Sequence, residues 1–197
     1  MKLNGLASLA LLACVGCAAP PVERAPAALL ELYDSLAPDG ALELELDRDG
    51  SFLELEADVP VESLPAAVRA AALAAYPGVT LTGAEREVQG GVLSWEVKFT
   101  HEGRGMELVI DTTGTVRETE RELRASEAPL AVLQAAEAAL PGSTLYSVES
   151  VTSAAGTVYH VKREKNGARY KFILDPTGKM LRKVREARAE IEIPLAD

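Results

Sequence analysis

The chain contains nearly the same phrase twice, "AAYPGVTLTGAE" at Ala74–Glu85 and "AALPGSTLYSVE" at Ala138–Glu149. We call the spacing between the two phrases, from Pro77 to Pro141, the repeat offset. In each phrase an alanine-rich stretch precedes Pro-Gly. This pattern is typical of a helix end, because proline cannot continue a helix and glycine readily adopts the conformation that follows one. A phrase repeated at a fixed offset indicates two copies of one structural unit.

Further stretches coincide at the same repeat offset without a gap. The matched stretches are Trp95 with Tyr159, Val97-Lys98 with Val161-Lys162, Asp111–Gly114 with Asp175–Gly178, and Arg121-Glu122 with Arg185-Glu186. The turn motif has an earlier counterpart at Asp47–Gly50. We therefore predict that Ala41–Val59 is the closing hairpin of an earlier unit whose helix is shortened or lost.

Each unit is predicted to begin with a helix and continue with strands. Apolar residues recur at helical spacing through Leu64–Tyr76, and Pro129–Leu140 is its counterpart. Leu93, Trp95, Val97 and Phe99 then alternate with polar residues, as in a half-buried strand. The sequence thus predicts an α+β fold of tandem units, each with one helix packed on a four-stranded antiparallel meander sheet. Trp95 and Tyr159 are expected to be buried and to face the helices of their own units.

The order helix, "YPG", strand, "SWEVKF", hairpin, "DTTG", strand resembles the PepSY-like family, which includes beta-lactamase-inhibitor-like proteins. The resemblance covers about residues 41–197, and its motifs are short and mostly structural. It implies a small exported binding or regulatory module, in some cases an inhibitor of peptidases or hydrolases. It implies no catalytic residue.

The N-terminus resembles a bacterial lipoprotein signal. Lys2 precedes an apolar stretch that is too short to serve as a stable membrane span, and Val15-Gly16-Cys17 fits a lipidation motif. Cys17 is the predicted lipidated residue, Cys14 is the alternative, and an ordinary secretory signal cut near Ala18 is a third possibility. Both cysteines of the chain lie in this segment, so the remainder has none with which to form a disulfide.

The predicted organisation has five parts: a signal peptide at 1–16, a flexible tether at 17–27, a short helix and partial-repeat hairpin at 28–63, a first PepSY-like unit at 64–127 and a second at 128–197. The tether is rich in proline and small residues, which resist helix and strand formation. It would hold the folded part away from a lipid anchor.

Charge is distributed unevenly along the chain. Residues 18–63 contain 12 acidic and 2 basic residues, whereas residues 162–188 contain 10 basic and 3 acidic ones. The two segments could neutralise each other, or the basic segment could be free to bind a partner. Because units in series separate the two segments, we expect them at opposite ends of the molecule. The partner-binding candidates are Lys162, Arg169, Lys171, Lys183 and Arg185.

No motif indicates catalysis, a cofactor or a metal. The two histidines, His101 and His160, are out of register in the repeat, and no serine lies in a nucleophile-elbow motif. Asp47–Gly50 begins like a calcium-binding loop, but strand alternation follows it, so a hairpin turn is predicted. Glutamates two apart on a strand share one face and are read as solvated. The net charge of −10 disfavours nucleic-acid binding.

The sequence therefore predicts a non-enzymatic lipoprotein of the bacterial envelope, exposed on the periplasmic side. Its predicted role is to bind a protein or peptide partner, which could be acidic, through an open sheet face. It could act as a regulator or inhibitor of an exported hydrolase. The alternative is a periplasmic module that senses a small ligand or a metal ion.

Overall fold

A computed structural model describes residues 27–37 and 40–187 of the chain. The predicted signal peptide, Cys14, Cys17 and most of the predicted tether lie outside these residues. No helix within the described part of the chain is both long enough and apolar enough to cross a membrane.

The described chain contains three α-helices, ten strands and two short 3-10 helices. The α-helices are α1 (Ala27–Ser35), α2 (Ala66–Ala75) and α3 (Leu130–Ala139), and the 3-10 helices are Val61–Ser63 and Ala125–Glu127. The strands are β1 (Leu42–Leu46), β2 (Phe52–Val59), β3 (Leu81–Gln89), β4 (Val92–His101), β5 (Arg104–Asp111), β6 (Val116–Glu122), β7 (Thr144–Ser153), β8 (Gly156–Lys165), β9 (Ala168–Leu174) and β10 (Met180–Arg185).

All ten strands form one antiparallel sheet in the order of the chain, from β1 to β10. The prediction of separate four-stranded units is therefore wrong. At the predicted boundary between units, β6 pairs with β7 from Glu118 opposite Ser153 to Glu122 opposite Glu149. β2 pairs with β3 in the same way. An edge strand presents unpaired N–H and C=O groups, and pairing the neighbouring edges satisfies these groups.

The helices pack on one face of this sheet, over three apolar clusters. Leu32 of α1 packs on Leu55 and Ala57 of β2. The buried Val68 and Ala72 of α2 lie in the cluster of β3–β5. The equivalent residues of α3, Val132 and Ala136, pack with Val148, Val161 and Phe172 of the second cluster, all at most 1% exposed. We call this side of the sheet the helix-bearing face.

The predicted orientation of the two matched aromatics is confirmed. Trp95 packs against the cluster beneath α2, and Tyr159 packs against the cluster beneath α3. Both side chains are half-buried, not fully buried. Each lies on the helix-bearing face, so the sequence alternation assigned these residues to the correct face of the sheet.

Three Asp-to-Gly hairpin turns share one local geometry, as predicted. Asp47 Oδ1 accepts hydrogen bonds from the backbone N–H groups two and four residues later, and Asp111 and Asp175 do the same. Gly50, Gly114 and Gly178 close these turns with φ of 84°, 89° and 86°. Asp47–Gly50 is therefore a hairpin turn, as the strand alternation indicated.

Candidate functional site

The sheet curls until its two ends meet. Adjacent strands are about 4.8 Å apart, so a flat sheet would separate β1 from β9 by roughly 38 Å. Instead, Lys171 Nζ of β9 lies 3.5 Å from Glu45 Oε2 of β1, and Arg182 of β10 forms an ion pair with the same carboxylate. These side chains lie on the face opposite the helices. That face is therefore the inside of the curve, and we call it the concave face.

The concave face carries most of the carboxylates of the strands. Strand register places Asp58 opposite Glu85, which in turn lies opposite Glu96. Across the whole sheet the set includes Glu43, Glu45, Glu54, Glu56, Asp58, Glu85, Glu87, Glu96, Glu107, Glu118, Glu120, Glu122, Glu149 and Glu164. The expectation that these acids are solvated is wrong for the deepest of them, since Glu87 and Glu96 are only 5% and 7% exposed.

On the β1–β3 side the acids lie close together with few cations. Burial raises the pKa of Glu56 to about 8, and the neighbouring Glu54, Glu85, Glu43 and Glu87 raise it further. Burial also raises the pKa of Glu87 to about 7, although Ser94 Oγ donates a hydrogen bond of 2.9 Å to its carboxylate. These carboxyls therefore retain protons near neutral pH, which lowers their mutual repulsion.

One lysine neutralises the middle of the concave face. Lys98 Nζ lies 2.6 Å from Glu85 Oε1 and 3.3 Å from Glu96 Oε1. Burial alone would lower the pKa of Lys98, but Glu96, Glu107 and Glu85 outweigh it and hold the pKa above its usual range. Lys98 is therefore a permanent cation within this group of acids.

A mixed group of potential metal ligands lies on three adjacent strands, β6, β7 and β8. Glu120 of β6, Glu149 of β7 and His160 of β8 each offer one ligand atom, and these atoms lie within 4.8 Å of one another. Burial, together with the positive charges of Lys171 and Lys162, lowers the pKa of His160 to about 4, so its ring is neutral near pH 7. Lys162 Nζ lies 3.8 Å from Glu149 Oε2.

Apolar residues line the concave face beside these charges. Val151 of β7 is 4% exposed and lies opposite Val158 of β8. Ile173 of β9 lies between His160 and Arg182 in the strand register. The β7–β9 part of the face thus combines apolar surface with cations, whereas the β1–β3 part is acidic. Such a mixture can hold a partner segment by burial and orient it by charge.

The five predicted partner-binding residues do not form one surface. Lys162 and Lys171 are cross-strand neighbours on the concave face, and Arg169 lies near them, 4.0 Å from the centre of the Tyr146 ring. Lys183 lies on the helix-bearing face, where its Nζ donates to the Ala139 carbonyl at 3.3 Å, and Arg185 shares that face. The five residues are therefore divided between the two faces of the sheet, and their role in partner binding stays a prediction.

The expected separation of the acidic and basic segments is also wrong. Lys171 and Arg182 of the basic segment contact Glu45 of the acidic segment. The two segments are far apart along the sheet, but the curl of the sheet brings them together. The ion pairs of Glu45 with Lys171 and Arg182 thus join strands that are not neighbours in the sheet, and they depend on its curvature.

The sequence did contain a signal for the concave acids, which the prediction missed. At the repeat offset, glutamate recurs at four concave positions: Glu43 with Glu107, Glu54 with Glu118, Glu56 with Glu120, and Glu85 with Glu149. Alternation alone could not distinguish this pattern from a solvated face. The repetition of one residue type at four matched positions was the more specific indication.

Residues 65–120 match the family model described as peptidase propeptide and YPEB domain, PepSY. The predicted resemblance to the PepSY family is thus confirmed for this segment. No curated protein matches the chain.

Solved structures from Bacteroides share the fold. A DUF2874 family protein from Bacteroides uniformis is 21% identical with a TM-score of 0.51, and the match covers 62% of this chain and 89% of that one. A candidate periplasmic protein from Bacteroides eggerthii is 18% identical with a TM-score of 0.51, covering 61% and 88%. A BLIP-like protein from Bacteroides fragilis is 22% identical with a TM-score of 0.49, covering 64% and 91%. At these identities the first two matches show the fold alone.

Proposed function

We propose that this chain is a non-enzymatic module of the bacterial cell envelope that binds a partner protein or peptide on its concave face. The observation that carries the proposal is the concave face itself. Within the described residues no helix covers it, and apolar side chains of β7–β9 lie beside opposite charges. Apolar surface of this kind with a few oriented charges suits a binding site.

Charge favours a partner segment with basic residues. Carboxyl groups outnumber the cations of the concave face, which lie at Lys98, Lys162, Arg169, Lys171 and Arg182. Because Lys171 and Arg182 are already paired with Glu45, the basic residues offer little free charge to an acidic partner. A basic or amphipathic peptide segment fits this surface better than the acidic partner expected from the sequence.

The class of partner that we propose first is an exported peptidase. The family description for residues 65–120 names peptidase propeptides, and a propeptide-like module would act on its peptidase as a regulator or inhibitor. Among the described residues no hydrogen bond joins either histidine to a serine or threonine, so these side chains do not form a nucleophile and base pair.

A photo-crosslinking experiment in the native envelope tests the proposal. A photoreactive residue at Val158 samples the concave face, and the same residue at Leu73, which is 38% exposed on α2, samples the other side. We expect Val158 to capture one partner reproducibly and Leu73 not to capture it. Capture of the same partner from Leu73 only would place binding on the helix-bearing face and contradict the proposal.

Paired charge removal locates the contact more closely. Lys162→Gln with Arg169→Gln removes two cations from the concave face, and Lys183→Gln with Arg185→Gln removes two from the helix-bearing face. In the presence of a chelator, only the first pair should change the crosslinking yield from Val158. An effect of the second pair alone would restore the sequence-based assignment of Lys183 and Arg185.

Export and anchoring are also proposed, on the basis of the N-terminal sequence. Cys17→Ser should move the chain from the membrane fraction to the soluble fraction, whereas Cys14→Ser should not. Release by Cys14→Ser alone would show that the other cysteine is lipidated. No release by either variant would remove the lipid anchor from the proposal.

A further inference from the structure

We infer that Glu120, Glu149 and His160 form a binding site for a divalent transition-metal ion of the Zn²⁺ type. The three residues lie on three adjacent strands of the concave face. Glu149 lies directly opposite His160, and Glu120 is diagonal to Glu149 because it lies opposite Val151. The rigid sheet therefore holds all three side chains toward one point.

The distances are close to those that a metal requires. The three ligand atoms lie within 4.8 Å of one another, and His160 Nδ1 lies 3.9 Å from Glu120 Oε2. A tetrahedral zinc ion with ligand distances of about 2.0–2.2 Å needs ligand atoms roughly 3.3–3.6 Å apart. Side-chain rotation alone can close this difference, without movement of the strands.

The imidazole is the group that points to a metal. Within the described residues, neither ring nitrogen of His160 makes a hydrogen bond, although its side chain is only 17% exposed. Glu120 is also 17% exposed and Glu149 is 21% exposed. A half-buried histidine that faces two carboxyl groups places a ring nitrogen within reach of both. A divalent cation between them would satisfy all three groups.

The first half of the sheet provides an internal comparison. At the repeat offset, the equivalents of Glu120, Glu149 and His160 are Glu56, Glu85 and Glu96. There, Lys98 bridges Glu85 and Glu96 and supplies the positive charge. In the second half, histidine replaces the third carboxylate, and among the described residues Lys162 forms an ion pair only with Glu149, at 3.8 Å. The second site thus has an imidazole where the first has an acid bridged by lysine.

The donor set selects the class of metal. Mg²⁺ and Ca²⁺ prefer sites made entirely of oxygen ligands, whereas imidazole suits Zn²⁺ and its neighbours among the transition metals. Three protein ligands leave a fourth position for water or for a side chain of a partner. Lys162 competes with the metal for Glu149 and must move away from it on binding. The site does not depend on the proposed partner, and partner capture by Val158 in the presence of a chelator tests that function separately.

Zn²⁺ titration of the full chain in detergent, after removal of metal with a chelator, tests the inference. We expect one Zn²⁺ ion per chain by calorimetry. His160→Gln should weaken binding at least tenfold, because even the loss of a residue that only orients a ligand costs about 10–100-fold in metal affinity. His101→Gln removes the only other histidine, which lies beside the β4–β5 turn, and should leave the affinity unchanged. Lys162→Met removes the competing cation and should tighten binding.

Two readouts separate a metal site from a folding defect. Chelated wild type and His160→Gln are first compared by thermal unfolding, and Zn²⁺ should then raise the melting temperature of the wild type only. Bound Co²⁺ should give a visible absorption spectrum typical of low coordination number, and this spectrum should be absent from His160→Gln and Glu149→Gln. The absence of stoichiometric Zn²⁺ binding to the wild type, or equal affinity in His160→Gln, would overturn the inference.

Discussion

Lys171 of β9 donates a hydrogen bond of 3.5 Å to the carboxylate of Glu45 on β1, across 126 residues of sequence. Arg182 of β10 contacts the same carboxylate. These two interactions join the ends of a ten-stranded sheet, and we call them the seam. The seam closes the curve that buries the carboxylates of the concave face, so it connects the shape of the sheet to its electrostatics.

Loss of the seam should destabilise the protein. Glu45→Gln leaves Lys171 and Arg182 without their carboxylate at a site where Glu45 is 11% exposed, and we expect a loss of ~1–3 kcal/mol in the free energy of unfolding. Urea unfolding followed by circular dichroism measures it. Glu43→Gln is the matched control, because Glu43 lies on the same strand and face but is exposed. Equal losses in both variants would show that the seam contributes nothing specific.

Stability should fall as the pH rises from 6.5 to 8.5. Folding raises the pKa of Glu56 from 4.5 to about 8, so up to about pH 8 the folded state holds a proton that the unfolded state has released. For each such proton, the free energy of unfolding falls by up to about 1.4 kcal/mol for every unit by which the pH rises. This stabilisation is lost once the pH has passed the folded pKa. Urea unfolding at several pH values should show this decline.

Glu56→Gln should flatten that pH dependence, since glutamine keeps the shape of the protonated acid without its titration. Glu102→Gln, in the exposed turn between β4 and β5, serves as the control and should leave the slope unchanged. A free energy of unfolding that rises over this pH range in the wild type would contradict the buried acidic cluster.

The two halves of the sheet should unfold together. Phe172→Ala removes a side chain that is 0% exposed in the second half and should cost ~3–5 kcal/mol. Trp95, the single tryptophan, reports on the first half by fluorescence. Because β6 pairs with β7, the urea midpoint should shift equally by fluorescence and by circular dichroism.

Leu108→Ala provides the reciprocal variant, since Leu108 is the equivalent of Phe172 at the repeat offset and is also 0% exposed. It too should shift both signals together. A Trp95 transition that stays unchanged in Phe172→Ala, with a biphasic circular dichroism curve, would indicate two independent units.

Substitution by alanine should destabilise the three matched turn glycines, Gly50, Gly114 and Gly178, to different extents. All have positive φ, so each substitution should cost ~1–2 kcal/mol in backbone strain. At Gly178 an added Cβ would also lie 2.6 Å from the carbonyl oxygen of Ala131, whereas at Gly50 it would meet nothing within 4 Å. Gly178→Ala should therefore lower the melting temperature clearly more than Gly50→Ala. Similar losses at the two positions would mean that the turn does not approach α3 closely.

Local chemistry allowed the sequence to predict the secondary structure and the phase of the strands. The Asp-to-Gly turns close through hydrogen bonds between near neighbours in the chain, and the helices end at Pro-Gly, so neighbouring residues suffice to specify them. Period-two alternation likewise placed Trp95 and Tyr159 on the correct side. The repeat offset located both copies of the helix and strand pattern.

Only the tertiary structure decided what the other side of the strands faces. Alternation assigns Glu56, Glu87 and Glu96 to a common face, but it cannot say whether that face is flat and wet or curved and buried. The answer depends on the pairing of β6 with β7 and on small twists added over ten strands, which bring Lys171 to Glu45. These are long-range terms that no short stretch of sequence encodes. The burial of the acids and the grouping of Glu120, Glu149 and His160 follow from them.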